Sequence, residues 1–393
     1  MVRLAMVISN PIQYHAPLYG HLARDGRFQL KVFFMSDQGA REFYEPFART
    51  QVKYDNLNLD DYDHVFLNQG EPRNFFRKRT PFLNFRLSEE LLRFSPQAVC
   101  FHGYDNPSTW AALLSCRRKG IRTFLRGEHE DAFPRPLWKK WLRELFLKWL
   151  LPKFDGFMVI GTCSKKFLLA RGIPEKKLFF VPYSVDNRYF RAGLPPGALE
   201  EIRARIRRKY GLADGTRIFI HVQKMRPVKR PLDAVEGFCR AMSAGGSCAA
   251  LLMCGDGELR QSAEELAKAK GDGRVLFTGY LNQAGLREHL LASDVLLICS
   301  EEQWGCSINE ALSSGLAVIS SDRVLGWVDM VVPGRNGEIY PLGNVEELGR
   351  KIRQLAAVSE ERLNAMKESS LALSRRLSFE TCAEGIAQAC GIS

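Results

Sequence analysis

No stretch of the 393-residue chain reaches the roughly 18 consecutive apolar residues that a bilayer-crossing helix needs. The apolar run from Met1 to Ile8 closes on turn residues at Ser9 and Asn10, and it lacks the length and cleavage signal of a secretory leader. None of the 10 cysteines forms a Cys-x-x-Cys pair or joins a Cys/His cluster, which excludes a zinc site and a disulfide framework and points to free thiols in a reducing compartment. No Asp-x-Asp segment is placed to carry Mg²⁺ or Mn²⁺, so neither a metal nor another cofactor is expected. Low-complexity tracts and short-period repeats are also missing. These absences predict a cytoplasmic protein, either free or peripheral on the cytosolic face of the inner membrane.

Acidic residues are in deficit. There are 44 Asp and Glu against 56 Lys and Arg, a net charge of +12. At this level the excess suits phosphate-bearing small molecules, anionic lipid and nucleic acid alike. No helix-turn-helix, RNA-recognition motif or zinc finger is present, so nucleic acid is not an expected partner.

Short β-branched or aromatic runs recur along the whole chain, separated by segments of helical period. The first half holds Leu4–Ser9, Leu30–Ser36, Ala98–Gly103, Thr123–Gly127, Gly156–Gly161 and Leu178–Pro182. The second holds Ile218–Gln223, Ala249–Gly255, Val275–Gly279, Val295–Ser300, Leu316–Ser321 and Gly337–Tyr340. Runs that are apolar throughout suit strands buried on both faces. Alternation with helices predicts an α/β fold of parallel, doubly wound sheets that bind ligands beyond the carboxyl ends of their strands. The series restarts after residues 184–190. The expected architecture is therefore two similar α/β domains facing a cleft, with a ligand bridging them.

The segment after strand Val295–Ser300 carries the densest chemistry. Ser307-Ile-Asn-Glu310 reads as a capping box, with Ser307 as cap and Glu310 at the third helical position. The amides of Gly305, Cys306 and Ser307 then lie at the positive end of a helix, a site for an anion or for sugar oxygens. A helix start with no further role explains Ser307 and Glu310 equally well.

The wider sequence decides between these readings by resemblance. Glu302-x7-Glu310, followed by Ala-Leu-Ser-Ser-Gly315, resembles the E-x7-E segment of the retaining GT-B glycosyltransferases of family 4 (glycosyl transferases group 1). In the family's order, Gly255-Asp-Gly257, Phe277-Thr-Gly279-Tyr, Val332-Pro-Gly-Arg-Asn-Gly337 and Val181-Pro-Tyr-Ser-Val-Asp186 resemble further segments. His221-Val-Gln-Lys224-Met-Arg-Pro-Val-Lys229 resembles the Gly-Arg-Leu-x-x-x-Lys segment, with Lys224 standing where Arg is typical. Lys offers a point charge rather than a fork, so Arg226 or Arg230 is a candidate to share its task. A solvated basic turn is the plainer reading of this run.

The resemblance implies a GT-B fold of two Rossmann-like domains. An acceptor domain would span residues 1–186 and a nucleotide-sugar domain 187–375, with a C-terminal helix (about 376–393) packing back on the first. It implies a nucleotide-diphosphate sugar as co-substrate and a glycan, lipid-linked or small-molecule acceptor, in cell-surface polysaccharide or glycoconjugate synthesis. Glu310 would hold the donor ribose and Glu302 the donor-sugar hydroxyls, and both groups suit the task as acceptor-only carboxylates. Lys224 and Lys229 would neutralise the diphosphate, Gly305, Cys306 and Ser307 would line the sugar, and Gly279 would border the site. His102, Glu302 and Lys229 are the candidate catalytic residues. A non-transferring 2-epimerase type of sugar-nucleotide enzyme and a decayed membrane partner protein are the alternatives.

The first half resembles the family less. Ser9-Asn10-Pro-Ile-Gln13-Tyr-His15 replaces the Gly-rich turn of many relatives, leaving Asn10, Gln13 and His15 as candidates for polar contacts, with plain Asn-Pro turn chemistry as the competitor. His102 ends a strand where the family places a His near the reacting sugar. Arg126 and Glu128, at the next strand end, either contact substrate phosphate or pair with each other. After Pro136, Trp138, Trp141, Leu142, Leu145 and Trp149 fall on one side of a helix, and cations fall on the other and its flank. Residues 136–151 thus read as an interfacial helix on anionic lipid, or as a helix whose apolar side meets the core. Arg73 to Arg79, with Phe82 and Phe85, is a second basic-aromatic stretch that extends this surface.

Overall fold

The computed structural model describes residues 1–45, 50–52, 54–70, 84, 86–131, 136–243, 245, 248–270 and 273–392. The basic-aromatic stretch at 73–79, with Phe82 and Phe85, lies outside the described residues. The chain divides into two compact units. Unit 1 comprises Met1–Phe43, Lys53–Ser184 and Phe379–Ser393, and unit 2 comprises Tyr44–Val52 and Val185–Ser378. Among the described residues, no helix is long and apolar enough to cross a membrane.

Unit 1 is built on β1 (Val2–Ile8), β2 (Phe28–Phe34), β5 (Asp63–Phe66), β6 (Ala98–His102), β7 (Arg122–Gly127), β8 (Gly156–Val159) and β9 (Leu178–Phe180). Between β2 and β5, Phe43–Glu45 (β3) and Thr50–Val52 (β4) form a separate two-stranded sheet. The large sheet has the order β5-β2-β1-β6-β7-β8-β9, and every pairing is parallel. The period of two sends Leu4 and Met6 to one face and Ala5 and Val7 to the other, and both faces are covered. On the first face, Phe379, Cys382, Ile386 and Ala387 of the helix Phe379–Ala389 pack against these strands. On the second, Leu147 and Leu150 of the helix Leu137–Leu150 join Phe33, Val99 and Phe101.

Unit 2 is built on β10 (Arg217–Val222), β11 (Ala249–Cys254), β12 (Val275–Gly279), β13 (Val295–Ile298), β14 (Ala317–Ser321) and β15 (Gly337–Tyr340). Its order is β12-β11-β10-β13-β14-β15, again parallel throughout. Numbered within each sheet, unit 2 runs 3-2-1-4-5-6, the doubly wound dinucleotide-binding order, and unit 1 runs the same order with a seventh strand, β9, added after the sixth. The reversal falls between β1 and β6 in unit 1 and between β10 and β13 in unit 2. At such a switch point the connections leave in opposite directions, which opens a crevice at the strands' carboxyl ends.

Candidate functional site

At the unit 2 switch point, the loops leaving β10 and β13 are tied together. Glu302 accepts from Gln223 Nε2 (2.5 Å) and from the Ser300 hydroxyl on Oε1, and Lys229 Nζ lies 2.9 Å from Oε2. Ser307 Oγ donates to Val222 O at 3.2 Å. Glu302, Lys229, Gln223 and Ser307, separated by up to 84 positions in sequence, thus share one cluster. Further bonds hold the segment from behind. Glu302 N donates to Arg323 O, Leu325 N to Glu302 O, and Arg323 pairs with Glu301.

Gly305 opens the following helix, Cys306–Ser314, in the left-handed region at φ +89°. A Cβ there would lie 2.6 Å from Val324 Cγ1, so both conformation and space call for glycine. This corrects the expected capping box. Gly305 occupies the cap position without a side-chain bond, and Ser307 lies inside the helix with its hydroxyl directed to β10. The helix starts early because only Gly305 takes the required φ. Cys306 and Ser307 therefore sit in the first turn, where amides lack intrahelical acceptors.

Glu310 projects from the same helix and is 8% exposed, with Gln283 Nε2 3.4 Å from its Oε1. Burial pushes its carboxyl up to about 7, against which the long bond from Gln283 does little. Lys224 is exposed on the loop after β10. Arg230 is committed elsewhere, since it is in the left-handed region and its Nε donates to Asp233 at 2.6 Å. The Gly255-Asp-Gly257 turn packs under this loop, where a Cβ on Gly255 would stand 2.1 Å from Gln223 O. Gly279 O accepts from Gly255 N at 2.9 Å, so Gly279 supports that turn.

At the unit 1 switch point, His15 and His102 meet with ring centroids 5.0 Å apart, and Tyr183 lies 5.0 Å from His15. Burial and then the positive charge of Arg126 hold both imidazoles well below their usual pKa, so they are neutral at physiological pH. His102 Nε2 is buried and has no hydrogen-bond partner among the described residues. Two candidates for substrate contacts, His15 and Arg126, lie in the interior of unit 1. His15 is buried under Tyr14 and Tyr183 as the residue before the helix Ala16–Arg24. Arg126 is wholly buried, its guanidinium donating to Val181 O (3.2 Å) and Pro182 O (2.6 Å) and lying over the Tyr183 ring. It braces the chain just after β9 through these two main-chain carbonyls. Glu128 is exposed on the other side of Gly127. Asn10 is spent on its own turn, accepting from Ser9 Oγ and donating to Pro11 O, while Gln13 is half-buried beside it.

The apolar side of the aromatic helix Leu137–Leu150 does not enter the core. Trp138 is 62% and Trp141 63% exposed, and Leu137, Leu142, Leu145 and Trp149 are exposed with them. The core receives Leu147 and Leu150 instead. Lys139, Lys140 and Lys148 are exposed along the same helix, and Lys153 lies 4.2 Å over the Trp149 ring.

Sequence reasoning missed Gln223, Ser300 and Gln283. Gln223 carried a signal, a long polar residue where the resembling segment has glycine; the other two lie outside any motif. Among the described residues, no group of three or more His, Cys, Asp or Glu is arranged to hold a metal.

Two family models match the chain: Glycosyl transferases group 1 over residues 202–370 and Glycosyl transferase 4-like domain over residues 13–184. The chain is 29% identical over 185 residues to N-acetyl-alpha-D-glucosaminyl L-malate synthase of Bacillus anthracis, covering 46% of this chain and 45% of that protein. It is 30% identical over 193 residues to GDP-mannose-dependent alpha-mannosyltransferase of Mycobacterium tuberculosis, covering 49% and 45%. The chain thus spans about half the length of the curated relatives it matches. A glycosyltransferase from Rickettsia africae superposes with a TM-score of 0.74 at 16% identity, covering 100% of this chain and 99% of the other. Anabaena HepE, solved in complex with UDP, superposes with a TM-score of 0.73 at 13% identity, covering 100% of both. Two doubly wound units and these matches together show that the chain has the GT-B fold and belongs to the family 4 (group 1) glycosyltransferases.

Proposed function

We propose that the protein transfers a sugar from a nucleotide-diphosphate donor to a glycan, lipid-linked or small-molecule acceptor, with retention of configuration and without a metal. The observation that carries this reading is the joining of Glu302 and Lys229 at the unit 2 switch point, beside the helix that bears Glu310. Glu310 grips the ribose hydroxyls and Glu302 those of the donor sugar. Lys224, Lys229 and the first-turn amides of the helix Cys306–Ser314 meet the charge that grows on the diphosphate as it leaves. The bond from the anomeric carbon to the phosphate oxygen breaks, the bond to the acceptor oxygen forms on the same face, and a diphosphate oxygen takes the acceptor's proton. His102, neutral and at a strand end of unit 1, is the residue assigned to the reacting sugar, with Gln13 and Glu128 on the acceptor side.

The relatives' names specify L-malate, GDP-mannose and lipopolysaccharide, which supports a proposed setting in cell-surface glycoconjugate synthesis with the acceptor left open. Thermal-shift screening against UDP-, GDP-, dTDP- and ADP-sugars tests the donor site. One class should stabilise the wild-type protein, and Glu310→Ala should abolish that shift. An equal shift in Glu310→Ala would refute the assignment, and donor epimerisation without acceptor would favour the 2-epimerase alternative. EDTA should leave turnover unchanged.

A second reading concerns location. The exposed Trp138–Trp141–Leu145–Trp149 side, flanked by lysines, is the surface of an interfacial helix. We infer a peripheral protein on anionic cytosolic membrane, well placed for a lipid-linked acceptor.

A further inference from the structure

Gln223 follows β10 with a side chain that is 8% exposed, and no step of the proposed reaction uses it. Its Nε2 donates to Ser300 Oγ at 2.9 Å and to Glu302 Oε1 at 2.5 Å. A carboxylate only accepts, so the amide has one sensible orientation, with its NH2 group facing Glu302. The other amide atom, Oε1, is buried and has no hydrogen-bond partner among the described residues. Protein interiors pair nearly all such acceptors, and a lone one is costly until a donor arrives. The root of the side chain is fixed as well, because Gly255 packs directly against the Gln223 carbonyl and Ser307 bonds the preceding one.

The charges add a second argument. Glu302 shares Lys229 with the incoming diphosphate. When the ammonium turns to phosphate, the carboxylate keeps only its bonds from Gln223 and Ser300. The resembling family segment has glycine at this position, so the brace belongs to this chain's own sequence.

The geometry points to Gln223 as a positioning and specificity residue of the donor-sugar pocket. Its N–H holds Glu302 in place, and its Oε1 accepts a hydrogen bond from a hydroxyl or acylamino N–H of the donor sugar. This rests on the donor-site reading above.

Calorimetric titration of UDP and UDP-glucose, and of GDP and GDP-mannose, into wild type, Gln223→Ala, Gln223→Gly and Gln223→Glu tests it. The bare nucleotide should bind the variants within about twofold of wild type. The matching sugar nucleotide should weaken about 10-fold in the alanine and glycine variants, the scale of one lost buried bond, and further in Gln223→Glu, where a like charge faces Glu302. Nucleotide and sugar nucleotide weakening together, with a lowered melting temperature, would reduce Gln223 to a structural brace and overturn the inference. Unchanged sugar-nucleotide affinity would overturn it too. In either case, loss of nucleotide binding in Glu310→Ala would leave the donor site standing, whereas a wild-type protein that binds no nucleotide would overturn both.

Discussion

Replacing Trp138 and Trp141 together by alanine separates a membrane face from a core face. The two indoles are 62% and 63% exposed. Taking a buried Trp as about 250 Å², each presents roughly 155 Å² to solvent, worth about 4 kcal/mol if wholly transferred from water at ~25 cal/mol per Å². An interfacial helix sinks only about 5–10 Å into the headgroup boundary, so half of that is the reasonable share, about 2 kcal/mol per indole. The pair then contributes about 4 kcal/mol, close to a thousandfold in partitioning, with some non-additivity because the two residues are neighbours. Lys139, Lys140, Lys148 and Lys153 add about 1 kcal/mol each near an anionic surface, a part that salt removes. Co-sedimentation with vesicles of phosphatidylcholine, with and without about one-third phosphatidylglycerol, reads both parts. The wild-type protein should bind the anionic vesicles at low salt and release in high salt, and the double variant should lose at least 100-fold in partitioning. Folding should hardly notice, since exposed substitutions of this kind shift stability by about 0.5 kcal/mol or less. A wild-type protein that stays in the supernatant at low salt refutes the reasoning. So does a double variant that binds as well as wild type, or one whose melting temperature falls by many degrees.

Two further outcomes follow from the donor site. Glu310 has a folded pKa of about 7 against an ordinary 4.5, so it is protonated in the free protein below neutrality. Its favourable share of stability is complete below about pH 4.5 and is lost as pH rises through 7. Ribose hydroxyls donate best to the ionised group, so nucleotide affinity should rise from pH 5.5 to 7 by up to about tenfold per unit and then level. Titration in buffers of different ionisation enthalpy should show proton release. A flat profile, or one that persists in Glu310→Gln, would contradict this. Gly305→Ala meets a left-handed φ and a 2.6 Å approach to Val324, and it should cost roughly 2–4 kcal/mol in chemical denaturation with loss of the nucleotide-induced shift. A variant within about 0.5 kcal/mol of wild type would show that the helix start is not constrained as argued.

The strand pattern was legible because parallel strands covered on both faces must be apolar throughout. Each run marked from Leu4–Ser9 to Gly337–Tyr340 overlaps an observed strand. The strand Asp63–Phe66 escaped because it is the sheet's edge, half-buried and opening on Asp and His, so it needs no apolar run. At the candidate site, what was legible was the position where backbone geometry limits the choice, Gly305, and the single spaced carboxylate pair, Glu302 and Glu310. Partners were not, because hydrogen bonds across a sheet leave no period in the sequence. Nothing near Lys229 indicates that it lies 2.9 Å from Glu302, 73 positions on. The buried role of Arg126 was hidden for a related reason: a cation at a strand end reads as a ligand contact until the neighbouring main-chain carbonyls are seen.

The Lys229–Glu302 pair also bears on how the site is prepared for a donor. Both Glu302 oxygens are occupied in the free protein, one by Lys229 and the other by Gln223 and Ser300. A diphosphate therefore competes with a carboxylate for a cation that is only partly exposed. That exchange is close to neutral in Coulomb terms, since one anionic partner replaces another. It becomes favourable only if Glu302 regains bonds elsewhere, and the hydroxyls of a donor sugar supply them. On the proposed donor-site reading, diphosphate capture and sugar recognition are the same event. On the proposed reading, the site should grip a complete nucleotide sugar more strongly than a bare nucleotide, because only the former satisfies the lysine and the glutamate together.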